Sequence, residues 1–96
     1  MFESVIEKNI CKLIKALGGK AYKWVSPGAA GVPDRICVMP GGKVIFIEVK
    51  RPDVSDGLSI RQKKEALRLR KLGQVVFRIN DMDELKRELK GLGYEV

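Results

Sequence analysis

The sequence predicts an α/β domain in the element order αβββαβα, with a mixed four-stranded sheet flanked by helices. Three observations carry this expectation. Residues 3–17, 59–72 and 81–92 place apolar side chains at helical spacing, and four short runs rich in β-branched and aromatic residues lie between them. The second and third runs are joined by Pro40-Gly41-Gly42, a hairpin connection, whereas a whole helix separates the third from the fourth. A crossover of that length makes the last pair parallel and, by the usual handedness, right-handed. Ninety-six residues suffice for one domain, 1–96, with a single core.

Each element has its own local reason. In the first helix Ile6, Ile10, Leu13, Ile14 and Leu17 form one stripe, which Gly18-Gly19 terminates. Glu7 borders that stripe one turn ahead of Ile10 and Cys11, deeper than an acid that merely favours a helix N-terminus. The strand over 20–25 puts Tyr22 and Trp24 on one face and Ala21, Lys23 and Val25 on the other; an aromatic pair there can stack bases, although core packing is its commoner fate. Residues 26–33 are a Gly/Pro/Ala loop, small enough to admit a phosphate backbone. The hairpin follows, with strands over 34–39 and 43–50, and then a polar loop over 51–58.

Ser59 is placed to cap the second helix, which Gly73 ends. Gln62, Ala66 and Leu69 share its inward face with Leu72 at the edge, while Arg61, Lys63, Lys64, Arg68, Arg70 and Lys71 mostly point elsewhere. Gln62 has two readings: Ser59-x-x-Gln62 is a capping box, and the same glutamine is the polar residue heading an apolar face. Residues 74–79 read as the fourth strand. The closing helix over 81–92 is capped by Asp81 or Asn80 and turns Met82, Leu85 and Leu89 inward.

Composition narrows the class. A net charge of +7 with no histidine persists from mild acid to neutral pH and favours a polyanion, most often nucleic acid. Cys11 and Cys37 are isolated and sit in apolar surroundings, which fits buried free thiols in a reducing cytosol and argues against structural zinc. No apolar run approaches the length of a bilayer span and no signal peptide is visible, so the expected location is cytoplasmic.

The chemistry concentrates in Gly31-Val32-Pro33-Asp34 and in the run Val44-Ile45-Phe46-Ile47-Glu48-Val49-Lys50. Both faces of that strand are apolar until Glu48 and Lys50, which point from the same face two residues apart. Ionised groups at the end of a buried strand must pair, shift their pKa or hold a metal. The hairpin carries Asp34 to the same end, giving a second carboxylate. Two carboxylates and a lysine in a basic chain are the parts of a metal-dependent phosphodiesterase. The competing reading is a non-catalytic DNA-binding module in which Asp34, Glu48 and Lys50 form a structural ion-pair cluster.

Glu7, the Gly31-Val32-Pro33-Asp34 bend, Glu48-Val49-Lys50 and Gln62, in this order and spacing, resemble the VRR-NUC family of the restriction-endonuclease-like PD-(D/E)xK superfamily, alongside the archaeal Holliday-junction resolvases. The resemblance covers nearly the whole chain, including Ala21-Tyr22-Lys23-Trp24-Val25-Ser26-Pro27-Gly28, typical of small stand-alone, often phage-borne members. It implies a Mg2+ or Mn2+ site held by the side chains of Asp34 and Glu48 and the backbone carbonyl of Val49. Lys50 would orient the attacking water or offset charge at phosphorus. Glu7 would approach from the first helix, and Gln62 would steady the site from the second. It further implies a homodimer resolving four-way DNA junctions; a monomeric flap or nicking nuclease is the alternative. Lys23, Arg35, Arg51 and Arg61 are the candidate DNA contacts by proximity to the motif.

Overall fold

The computed structural model describes residues 3–50 and 59–96; the polar loop expected over 51–58, with Arg51 in it, lies outside the described residues. The elements follow the expected order: α1 (Glu3–Ala16), β1 (Lys20–Lys23), β2 (Arg35–Val38), β3 (Val44–Val49), α2 (Ile60–Lys71), β4 (Val75–Ile79) and α3 (Met82–Gly91). The strands lie side by side in sequence order. β1–β2 and β2–β3 are antiparallel, and β3–β4 is parallel because α2 carries the chain back before β4 begins.

Alternation along the strands divides the sheet into two unlike faces. Cys37, Ile45, Ile47, Val49, Phe77 and Ile79 point to one side, where Ile6, Ile10 and Ile14 of α1 and Leu85 and Leu89 of α3 close over them. This is the main core, and burial there pushes the Cys37 thiol up to about 12, with Cys11 adding to the shift, so it stays a protonated core side chain. The other side carries Ile36, Phe46 and Val76, with α2 laid across it through the buried Ala66.

The helix ends are built from local sequence. After α1, the Gly18 N–H donates to the Lys15 carbonyl (3.0 Å) and the Gly19 N–H to Ile14 (2.9 Å), with Gly18 at a φ of 89°. This paired closure needs a left-handed residue, which only glycine adopts cheaply, and Gly73 and Gly93 repeat it after α2 and α3. Asp81 caps α3, its carboxylate accepting from the Glu84 N–H at 2.9 Å.

The strands are shorter than the sequence runs. β1 stops at Lys23 rather than at residue 25, yet the Trp24 N–H still donates to the Asp34 carbonyl at 3.1 Å, so the pairing outlasts the regular strand. The hairpin connection is a 3-10 turn over Pro40–Gly42, spanned by the Met39 N–H donating to the Lys43 carbonyl at 2.7 Å. Leu72, expected at the edge of the inward face, is the C-cap of α2 and is 70% exposed.

Candidate active site

Strand register builds the site. Lys23 pairs with Arg35, Arg35 with Ile47, and Glu48 with Arg78. Extending each ladder by one residue places Trp24, Asp34, Glu48 and Arg78 in one transverse row across four strands, all on the α2 side of the sheet. Behind them lies the row Tyr22, Ile36, Phe46 and Val76. An indole, two carboxylates and a guanidinium therefore stand abreast at the end of the sheet where β3 finishes.

The two carboxylates have different surroundings. β2 begins only after the buried Pro33, so at its end the Val49 N–H is taken up by the Asp34 side chain, which accepts it at Oδ2, 2.8 Å away. This ties the Gly-Val-Pro-Asp bend to the last residue of β3. Glu48 is wholly buried, and neither of its carboxylate oxygens has a hydrogen-bond partner among the described residues. Burial, and then the negative charge of Asp34, push its pKa up to about 7, against the opposing pull of Arg70 and Arg78. A buried carboxylate without a partner among the described residues costs several kcal/mol when ionised, which makes Glu48 a candidate ligand-binding group.

Gly31 fixes the third side. Its φ is 83°, and a Cβ there would stand 2.6 Å from the Arg61 carbonyl carbon and oxygen and 2.9 Å from the Gln62 nitrogen. The loop thus lies directly on the first turn of α2 and needs glycine to do so. Between loop and helix runs a groove of about 450 Å³, lined by Trp24, Ala29, Ala30, Asp34, Arg61 and Gln62 among others.

No model of a known protein family matches the chain. The protein named "Putative nuclease p44" from Acyrthosiphon pisum secondary endosymbiont phage 1 is 42% identical over 81 residues, which cover 84% of this chain and 85% of that protein. A solved structure described as a VRR_NUC domain superposes with a TM-score of 0.83 at 28% identity, over 92% of this chain and 94% of the other. The chain belongs to the VRR-NUC family of nucleases.

In this VRR-NUC domain the residues singled out from the sequence separate into two groups. Asp34, Glu48 and Val49 converge where β2 starts and β3 ends, and Lys50 follows directly, its N–H continuing the ladder to the Ile79 carbonyl at 2.8 Å. Gln62 and Arg61 meet Asp34 in the groove. Gln62 closes the capping box, the Ser59 N–H donating to its Oε1 (2.9 Å) and its own N–H donating to the Ser59 hydroxyl (3.2 Å), and it is buried while lining the groove with Asp34.

Glu7 and Arg35 lie on the opposite face. Arg35 shares the register, and hence the side, of the core residue Ile47, and its Nε donates to Glu7 Oε1 at 3.0 Å. Each side chain is 18% exposed, so this ion pair bolts α1 to the strand that carries Asp34. Lys23, in register with Arg35, takes that same side on the edge strand and is exposed. Arg78 went unnoticed in the sequence. Its signal was a lone cation inside the apolar run Val75-Val76-Phe77-Arg78-Ile79, and only the parallel register reveals that it stands beside Glu48.

Proposed function

We propose that this VRR-NUC nuclease is a divalent-metal-dependent endonuclease that hydrolyses phosphodiester bonds of DNA and selects branched substrates, four-way junctions first. The observation that carries the reading is the buried Glu48 carboxylate beside Asp34, without a hydrogen-bond partner among the described residues. Its surroundings fit a hard dication, for which two carboxylates and a strand-end carbonyl are suitable oxygen donors. Asp34, Glu48 and the Val49 carbonyl would hold Mg2+ or Mn2+, which supplies charge neutralisation at phosphorus and an acidified water.

The protein's own groups do the remainder. The Lys50 ammonium shares the face of Glu48 by strand alternation, where it orients the attacking water and offsets the charge growing on the phosphate oxygens. The Asp34–Val49 hydrogen bond holds the two donor strands in fixed register. Gln62 locks the start of α2 at the rim, and the Glu7–Arg35 pair steadies β2 from behind. The surplus of +7 concentrates the phosphate backbone at the surface, with Arg61 and Arg78 flanking the carboxylates. Paired cuts across a junction call for two sites, so a homodimer is part of the proposal.

The binding-module reading is weaker, because a structural ion-pair cluster would give Glu48 a partner and it has none among the described residues. The test is cleavage of labelled four-way junction, flap and plain duplex DNA in Mg2+, Mn2+ or EDTA, with Asp34→Asn as the control. Symmetric paired cuts that require metal and vanish in the control are expected. Cuts in flaps alone would keep the chemistry and discard the junction preference, and no metal-dependent cutting of any substrate would overturn the proposal.

A further inference from the structure

The groove between the 26–33 loop and α2 shares Asp34 and Gln62 with the proposed reacting centre, while the rest of its described lining has no part in the hydrolytic chemistry except Arg61. Trp24 lines it as the neighbour of Asp34 in the transverse row, half-buried, with its ring packed 5.4 Å from that of Phe46. The indole is thereby backed by a second aromatic and held against the sheet, leaving its remaining surface toward the groove. Ala29, Ala30 and Gly31, residues with little or no side chain, also line it, and the exposed Arg61 lines it from α2. A volume of about 450 Å³ lies within the range of pockets that hold small planar ligands.

We propose that this groove is a nucleobase slot, in which an unpaired base next to the cleaved phosphate stacks on Trp24 while Arg61 contacts the adjoining phosphate. The inference rests on the nuclease reading and sharpens it. An aromatic ring, small residues and a cation lining one groove are the chemistry that binds single-stranded nucleic acid without reading its sequence. Asp34 and Gln62 belong both to the slot and to the reacting centre, so a base seated there sets which phosphodiester reaches the carboxylates. A base stacked and paired within a duplex cannot offer its face to an indole. The slot therefore favours DNA with unpaired nucleotides beside the cut, such as flaps, single-stranded tails and opened junction centres, over continuous duplex.

Trp24 is the only tryptophan in the chain, so its fluorescence reports the slot directly. Titration of the wild-type protein in EDTA with short oligothymidine should quench the emission, and an equal length of blunt duplex should not. Oligonucleotide affinity, followed by the anisotropy of a labelled strand, should fall roughly 5- to 100-fold in Trp24→Ala and largely recover in Trp24→Phe. Ala30→Leu, which adds bulk to the groove lining and changes neither Trp24 nor Phe46, should abolish quenching and serves where Trp24→Ala does not fold. If labelled oligonucleotide binds without quenching, or binds Trp24→Ala or Ala30→Leu as tightly as wild type, the slot is overturned while the nuclease reading stands. If neither oligonucleotide nor junction binds at all, the nuclease reading falls with it.

Discussion

The two faces of one sheet have been put to opposite uses. On the α1/α3 side, β3 contributes Ile45, Ile47 and Val49 to a dry core. On the α2 side the same strand contributes Val44, Phe46 and then Glu48, an equally buried carboxylate with no partner among the described residues. The first arrangement stores stability in apolar area. The second spends some of it to keep a charge-bearing group ready. The contrast predicts that changes on the α1/α3 face act on folding, whereas changes at the two carboxylates of the transverse row act on chemistry with little loss, or even a gain, of stability.

The sharpest way to break that contrast is Glu48→Gln or Asp34→Asn. Each should lower cleavage roughly 10³-fold or more while DNA binding, followed by anisotropy in EDTA, is retained or tightened because a carboxylate facing phosphate has been neutralised. Wild-type cleavage in either variant would refute the site. The counterpart on the other face is Ile10→Ala, which should cost about 2–5 kcal/mol by denaturant melt and leave turnover per folded molecule unchanged.

A subtler test uses pH. The Glu48 pKa is raised in the folded protein to about 7 from an ordinary 4.5, so the native state holds this proton more tightly than the unfolded chain does. The Glu48 contribution to the stability of the metal-free protein is therefore favourable at low pH and is lost as pH rises from about 4.5 to about 7. Glu48→Gln removes that dependence and should stabilise the metal-free protein by about 1–3 kcal/mol at pH 8, read by urea melts across the range. An unchanged pH profile would mean that Glu48 is not the strained group. The smallest effect is expected from Arg78→Ala, which should weaken binding of all DNA substrates alike and reduce the salt slope of affinity by roughly one unit.

How much of this was legible without coordinates follows the range of the interactions. The element order, Ser59 as a cap and the pairing of Asp34 with Glu48 through the hairpin were readable because each depends on neighbours in sequence or on one short turn, whereas the α3 cap was narrowed only to Asp81 or Asn80 and is Asp81. Gln62 was readable as half of a capping box, but its place in the groove beside Asp34 depends on where α2 packs against the 26–33 loop. Arg78 stayed hidden because its place beside Glu48 arises from parallel register across a helical crossover, and the Trp24 ring and the 26–33 loop were readable singly but not the groove they form with α2. Arg35 shows the converse: it adjoins Asp34 in sequence, but strand alternation turns it to the opposite face, where Glu7 takes its charge.

The central claim is that Glu48 and Asp34 are held as donors for a dication, and the most direct measurement is the thermal midpoint at pH 8 against added Mn2+. The wild-type midpoint should rise steadily with metal concentration as binding to the folded state is linked to stability. The Glu48→Gln midpoint should start higher and respond little. A wild-type protein indifferent to Mn2+, or a Glu48→Gln variant that responds as strongly as wild type, would contradict the account.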